Sequence, residues 1–454
     1  MTSTTKKPLL IEGPVAKTLF NLTIPMIIGM VGMVAFNLAD TFFVGQLGTQ
    51  ELAALSFTFP IIMVIGSLAM GIGTGASAVI SQAIGRGDHH KVKRLTTDSL
   101  ILSFLLVAFF VLFGMMTIDP LFSLLGAEPE IIPLVREYMV IWYPGVLFLI
   151  IPMVGNSAIR ATGDTKTPSA IMLVAVAVNI VLDPLLIFGL GPFPMLGLAG
   201  AAIATVVSRA ITLVVALWVL YYRDRMMTFE LPSQKEVIDS WKSILNIGLP
   251  VAGTRLLIPI SMGVIYALVA SYGHEAVAAF GVGIRIEFFA MTVVFALSTV
   301  IGPFVGQNWG AHQFDRVVQG VRYSNIFSLV WGVAMFAILA LASRPIASLF
   351  NDDPQVISII MLFLWIVPVG YALFGVFLIS TMVLNVLNKP FPAAVLMVIQ
   401  MFGLYIPLAC VGSYLFGLQG IFGAIVVAYS LSGIASHFVL KRVLAIGAEH
   451  QRDQ

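Results

Sequence analysis

The chain has 454 residues, 59% of them hydrophobic and only 10% charged, with a formal net charge of +2 and a mean hydropathy of +1.01. Soluble domains average about a quarter charged residues, so a water-soluble globular protein is excluded and no nucleic-acid partner is expected. The single Cys410 excludes a disulfide within the chain and disfavours a metal site.

The apolar residues fall in runs of twenty or more, long enough to cross a hydrocarbon core of roughly 30 Å as helix, and too long for the alternating strands of a barrel. Twelve spans are predicted, at 15–43, 52–83, 93–117, 131–156, 167–190, 197–221, 240–272, 276–307, 317–342, 356–384, 392–413 and 419–446. Ahead of the first, basic residues occur without a small-residue cleavage site after a short apolar core, so no removable signal peptide is expected.

The first span holds Pro25, Gly29 and Gly32, which weaken the helix and mark either a fixed bend or a hinge. It ends in "FNLADTFFVGQLG", where Asp40 is one of very few acids inside a span and Asn37 precedes it by three residues. An acid at mid-helix costs about 2.5–3.5 kcal/mol on insertion scales, so its default reading is functional. The second span contains "GIGTGAS" (71–77), a glycine-rich stretch that serves close helix packing rather than phosphate binding. No GxxxxGK[ST] occurs, so nothing points to direct ATP drive. The fourth span adds Tyr138 and Asn156. After it, "TGDTKTPSA" reads as a loop with Thr167 capping a helix that opens at Pro168. In the fifth, "VNIVLDPLLIFG" places Asn179 four residues before Asp183, on one helix face. The polar stretch 221–243 reads as a linker between an N-terminal bundle (1–220) and a C-terminal bundle (244–454). Beyond it, Arg255, Arg285 and Glu287 are unusual for membrane helices and could form a structural ion pair or contact substrate.

Alternate loops differ in charge. Lys6, Lys7, Lys17, Arg86, Lys91, Lys93, Arg94, Arg223, Arg225 and Lys389 fall on one side; Glu51, Glu128, Glu130, Glu275, Asp352 and Asp353 fall on the other. The positive-inside rule then places both termini in the cytoplasm.

The halves align at a constant offset of 225: Pro25 with Pro250, Gly48 with Gly273, Gln82 with Gln307, Pro120 with Pro345. Six spans per half give both halves the same orientation, as parallel repeats related by an axis along the membrane normal. The acids do not follow the repeat, because Asn37 maps to Met262 and Asp40 to Ile265, while the region matching Asp183 reads "GLYIPLACVG". A purely structural need of the scaffold would more naturally occur twice. Burial and a neighbouring carboxylate both disfavour ionisation, so two acids in one site can exchange a proton as a coupled pair. With amide and hydroxyl oxygens the same pair could instead hold Na⁺.

Taken in order, "NLADTFFVGQLG", "AALSFTFPI…SQAIGRGD", "AIRATGDTKTP", "NIVLDPLLIFG" and "GLAGAAIATVVSR" resemble the MATE (multidrug and toxic compound extrusion) transporters, closest to the bacterial DNA-damage-inducible protein F-like branch. The resemblance implies an all-α membrane protein of twelve transmembrane helices, in two six-helix bundles related by a pseudo-two-fold axis and forming a V. It also implies cation-driven export of bulky organic cations, with a cation site at Asp40, Asn179, Asp183 and Thr205 and with Tyr138 and Asn156 beside it. Other branches carry acids on the seventh and tenth spans; neither span has one here, which argues against a C-terminal Na⁺ site.

The expected function is therefore a monomeric secondary antiporter in the inner membrane, not an enzyme. It needs no cofactor and exchanges lipophilic cationic drugs for H⁺, with Na⁺ as the alternative ion. Met33, Phe36, Phe59, Met63, Met172, Met262 and Phe288 are candidate walls of the drug cavity, because flexible thioethers and aromatic rings accept many ligands. Besides solute, membrane lipid is its only expected partner. The alternative function is a lipid-linked oligosaccharide flippase, which would need a cationic cavity and has only Arg255 and Arg285 to supply it.

Overall fold

The computed structural model describes residues 10–452, so Lys6 and Lys7 lie outside the described residues. Every regular element among them is helical: α1 (Val15–Gly45), α2 (Thr49–Gly85), α3 (His89–Leu124), α4 (Ile132–Ala161), α5 (Lys166–Phe188), α6 (Gly197–Trp218), α7 (Gln234–Ala270), α8 (His274–Gly310), α9 (Phe314–Leu341), a short α10 (Ser343–Ser348), α11 (Pro354–Ile366), α12 (Tyr371–Val386), α13 (Pro390–Val398) and α14 (Ile406–Arg452). A 3₁₀ turn, Val367–Gly370, joins α11 to α12 in one tenth span, and a π-helical stretch, Ile399–Tyr405, joins α13 to α14. Among the described residues, eleven helical stretches are long and apolar enough to cross a membrane, the last being Pro390–Ile446 with 57 residues. That stretch breaks at Gly417 (φ 63°, ψ −141°), a backbone setting that glycine reaches without a Cβ clash, and its two limbs complete the twelve helices.

The sequence repeat is a repeat of elements. Adding 225 to the bounds of α2 (49, 85) gives those of α8 (274, 310), and adding it to the ends of α1 (45) and α4 (161) gives those of α7 (270) and α12 (386). The chain forms two compact units: Ile24–Ala252, and Gly253–Gln454 together with the first residues up to Thr23. The division thus falls inside α1 and α7 rather than in the 221–243 linker. In the first unit α4 packs against α2, α3 and α6; in the second, its counterpart α12 packs against α8, α9 and α14.

Small residues make these packings possible. A Cβ on Gly73 would lie 2.7 Å from Ser157 Oγ on α4, and one on Gly75 would run into the Ile244 carbonyl of α7. This is the close packing expected of "GIGTGAS". At the start of α5 the cap differs from the expected one: the helix begins at Lys166, and the Asp164 carboxylate accepts from the Thr167 backbone N–H (3.0 Å) and hydroxyl (2.6 Å). The cap is thus Asp164, and Thr167 is its donor rather than the cap.

Candidate functional site

In the Ile24–Ala252 unit, α1 and α5 run side by side in the same direction. Gly29 faces Ser169, Gly32 faces Leu173 and Val176, and the rings of Phe43 and Phe188 meet edge to face at 6.5 Å. This register brings Asp40 level with Asp183, and the two carboxylates interact electrostatically. A Cβ on Gly32 would sit 2.7 Å from Leu173 Cδ2. Both glycines of the expected hinge therefore serve the close approach of two helices, and Pro25 lies in unbroken helix just before them.

Asn179 and Asp183 are both fully buried, and the Asn179 amide donates to Asp183 Oδ1 at 3.1 Å. Tyr138, on α4, is buried and lies within electrostatic reach of both acids. Asp40 Oδ1, Asn179 Oδ1 and Asp183 Oδ2 are buried without a hydrogen-bond partner. Three inward-facing oxygens of this kind suit a proton or a hard cation; buried polar atoms are otherwise nearly always paired.

One residue of the site went unnoticed in the sequence. Arg209, on α6, interacts electrostatically with Asp40 and lies 4.6 Å above the Phe36 ring, with Nη2 3.9 Å from Met33 Sδ. Its Nε is buried and unpartnered. Met33, Phe36 and Asp40 thus form a stripe along α1 that meets α6. Thr205, four residues before Arg209, shares its helix face, and its carbonyl accepts from the Ser208 hydroxyl at 2.8 Å.

Two expected members stand apart. Asn37 is exposed, and no hydrogen bond joins it to Asp40 among the described residues; a three-residue step leaves side chains about 60° apart. Asn156 is buried with a free Oδ1, yet it follows Tyr138 by eighteen residues (156 − 138), or about 27 Å of helix. It cannot reach the acids near Tyr138.

The candidate cavity walls also separate. Phe36 is buried beneath Arg209, Phe59 is exposed, and Met63 and Met172 are half-buried. Met262 and Phe288 belong to the other unit, where Met262 packs on the apolar core and Phe288 tilts against Phe295 at 5.8 Å. An open surface recess of about 560 Å³ is lined by Leu38, Ala39, Thr41, Phe42, Phe43 and Ile180, and includes neither Asp40 nor any of the candidate walls.

A fully buried acid on α5, a half-buried acid on α1 within its electrostatic reach and an arginine beside the second, all inside a bundle of membrane-crossing helices, are the mark of a polytopic transporter. The MatE family model matches residues 25–185 and again 250–411, the two matches starting 225 residues apart, and the chain belongs to that family of transporters, the MATE family. It is 39% identical to a FAD transporter of Shewanella oneidensis, over 96% of each chain. It is 29% identical to the probable multidrug resistance protein YoeA of Bacillus subtilis, over 86% of this chain and 85% of that one. The fold superposes on the Vibrio cholerae MATE transporter VcmN in its bent form with a TM-score of 0.91 and 30% identity, covering 95% of this chain and 98% of that one.

Proposed function

We propose that the chain is a secondary antiporter of the inner membrane, with both termini cytoplasmic, that expels lipophilic organic cations in exchange for protons taken up at Asp40 beside Asp183. The observation that carries this reading is the pair of interacting acids on α1 and α5, with Arg209 beside Asp40. With both acids ionised the three charges sum to −1 (−1 − 1 + 1); one proton brings the sum to 0. A centre that alternates between these values attracts an organic cation in one state and releases it in the other. Asp40 is the exchanging group, and Asp183, held by Asn179, sets the charge against which it works. Lipophilic cations are the first solute class, as the multidrug names of relatives such as YoeA suggest.

A second reading of the solute is favoured by the 39% identity with the Shewanella FAD transporter. A flavin dinucleotide joins a large aromatic system to a pyrophosphate, and Arg209 would meet its anionic part once both acids are protonated (sum +1). The test is a reconstituted vesicle with an imposed pH gradient, in which a fluorescent lipophilic cation and FAD are followed separately. Uphill movement of either supports the antiporter and identifies its solute; no uphill movement of either refutes it.

A further inference from the structure

The second unit holds an acid that the repeat does not explain. Glu287 lies on α8, and its repeat position in the first half is Ile62 (287 − 225). Its Oε1 accepts from the Tyr429 hydroxyl of α14 at 2.8 Å, while Oε2 is buried without a hydrogen-bond partner. Tyr371 of α12 lies within electrostatic reach of the same carboxylate, and its own hydroxyl is buried and makes no hydrogen bond. Tyr405 lies within electrostatic reach of Glu287 and of Tyr266 on α7. Arg285, two residues earlier on α8, is exposed and acts on Tyr266. Among the described residues no titratable group of α9 or α11 acts on Glu287, and no lysine or arginine pairs with it. The structural ion pair that the sequence allowed is therefore absent.

Two of these tyrosines reach Glu287 from irregular helix. Tyr371 directly follows the 3₁₀ turn Val367–Gly370, and Tyr405 closes the π-helical stretch Ile399–Tyr405. Such interruptions concentrate at functional sites. The Tyr429 ring is held by Phe374, stacked on it at 4.2 Å.

The chemistry of this shell is selective. Arginine, lysine and backbone N–H groups satisfy a carboxylate but not a carboxylic acid, because they have no lone pair for its proton. A phenol hydroxyl donates to the one and accepts from the other. Ionisable groups inside a membrane bundle pair with one another or with backbone groups, and a buried carboxylate without a base is costly while it stays charged. A shell built of hydroxyls fits both protonation states of Glu287 without rearrangement of the fold.

We propose that Glu287, within its shell of Tyr371, Tyr405 and Tyr429, is a second proton-binding site of this transporter, in the unit that lacks Asp40 and Asp183. The test is pH-difference infrared spectroscopy of the purified full chain, comparing D40N/D183N with D40N/D183N/E287Q and, in the otherwise unchanged chain, Y429F with wild type. The site predicts a pH-dependent carboxylic C=O band that survives in the double variant and vanishes in the triple one. Y429F, which removes a single hydroxyl, should move the midpoint of that band and keep the band itself. Identical difference spectra with and without Glu287 would overturn the proposal, as would unchanged Y429F spectra or loss of the band on adding Na⁺ at fixed pH. Because Asp40 and Asp183 are already replaced, the result stands or falls separately from their assignment.

Discussion

Replacing Asp40 by Asn keeps the shape of the side chain and removes its charge. In the proposed cycle the site of the native chain passes between −1 and 0 as one proton comes and goes. In D40N the remaining pair, Asp183 and Arg209, sums to 0 when ionised, and the state that attracts a cation is lost. Each proton exchanged down a tenfold gradient contributes about 1.4 kcal/mol, so one proton per solute sustains up to roughly a tenfold solute gradient. One proton exchanged for one monovalent cation moves no net charge; a second proton would add about 2.3 kcal/mol per 100 mV. The assay is uphill solute transport in vesicles under a fixed pH gradient, with and without a potassium-diffusion potential. D40N should accumulate no solute above equilibrium while the protein still inserts and melts cooperatively. Undiminished pH-driven accumulation in D40N would refute the reasoning.

Three further outcomes are expected. N179A removes the amide that donates to Asp183 at 3.1 Å; a hydrogen bond to a charged group contributes about 1.5–3 kcal/mol, so the pH dependence of transport should move measurably, and an unmoved profile would reduce Asn179 to filling. G75L drives a side chain into the Ile244 carbonyl, and overpacking of this kind costs about 1–3 kcal/mol or more. Its melting temperature should fall well below that of G66A, where the added methyl meets open space. Arg316 donates to the carbonyls of Gly13 (2.7 Å), Leu10 (3.1 Å) and Glu12 (3.2 Å), so R316A should speed hydrogen exchange across residues 10–14, and unchanged exchange would show that the clasp holds nothing.

The helices were legible because each is an apolar run far longer than a soluble helix needs, and the repeat because Gly and Pro recur at one spacing. Asp40 and Asp183 stood out because an acid has no cheap place in lipid. Arg209 did not, since a long basic side chain can snorkel to the interface; only packing shows its Nε enclosed beside Phe36. Asn156 misled for the opposite reason: it is polar, buried and on the right helix, and only distance along α4 removes it. The tyrosines around Glu287 lie on separate stretches between residues 371 and 429, and each reads alone as packing. Their convergence is a property of the fold, set by a 3₁₀ turn and a π-helical stretch that no local pattern announced.

The claim beneath the whole account is that solute and proton compete for Asp40. Proton release is measured directly when solute is added to the purified protein in weakly buffered detergent, with Na⁺ absent and then present. The account predicts that wild type releases protons on binding, that D40N releases fewer, and that Na⁺ leaves the count unchanged. Binding without proton release, or release that D40N leaves intact, would contradict it.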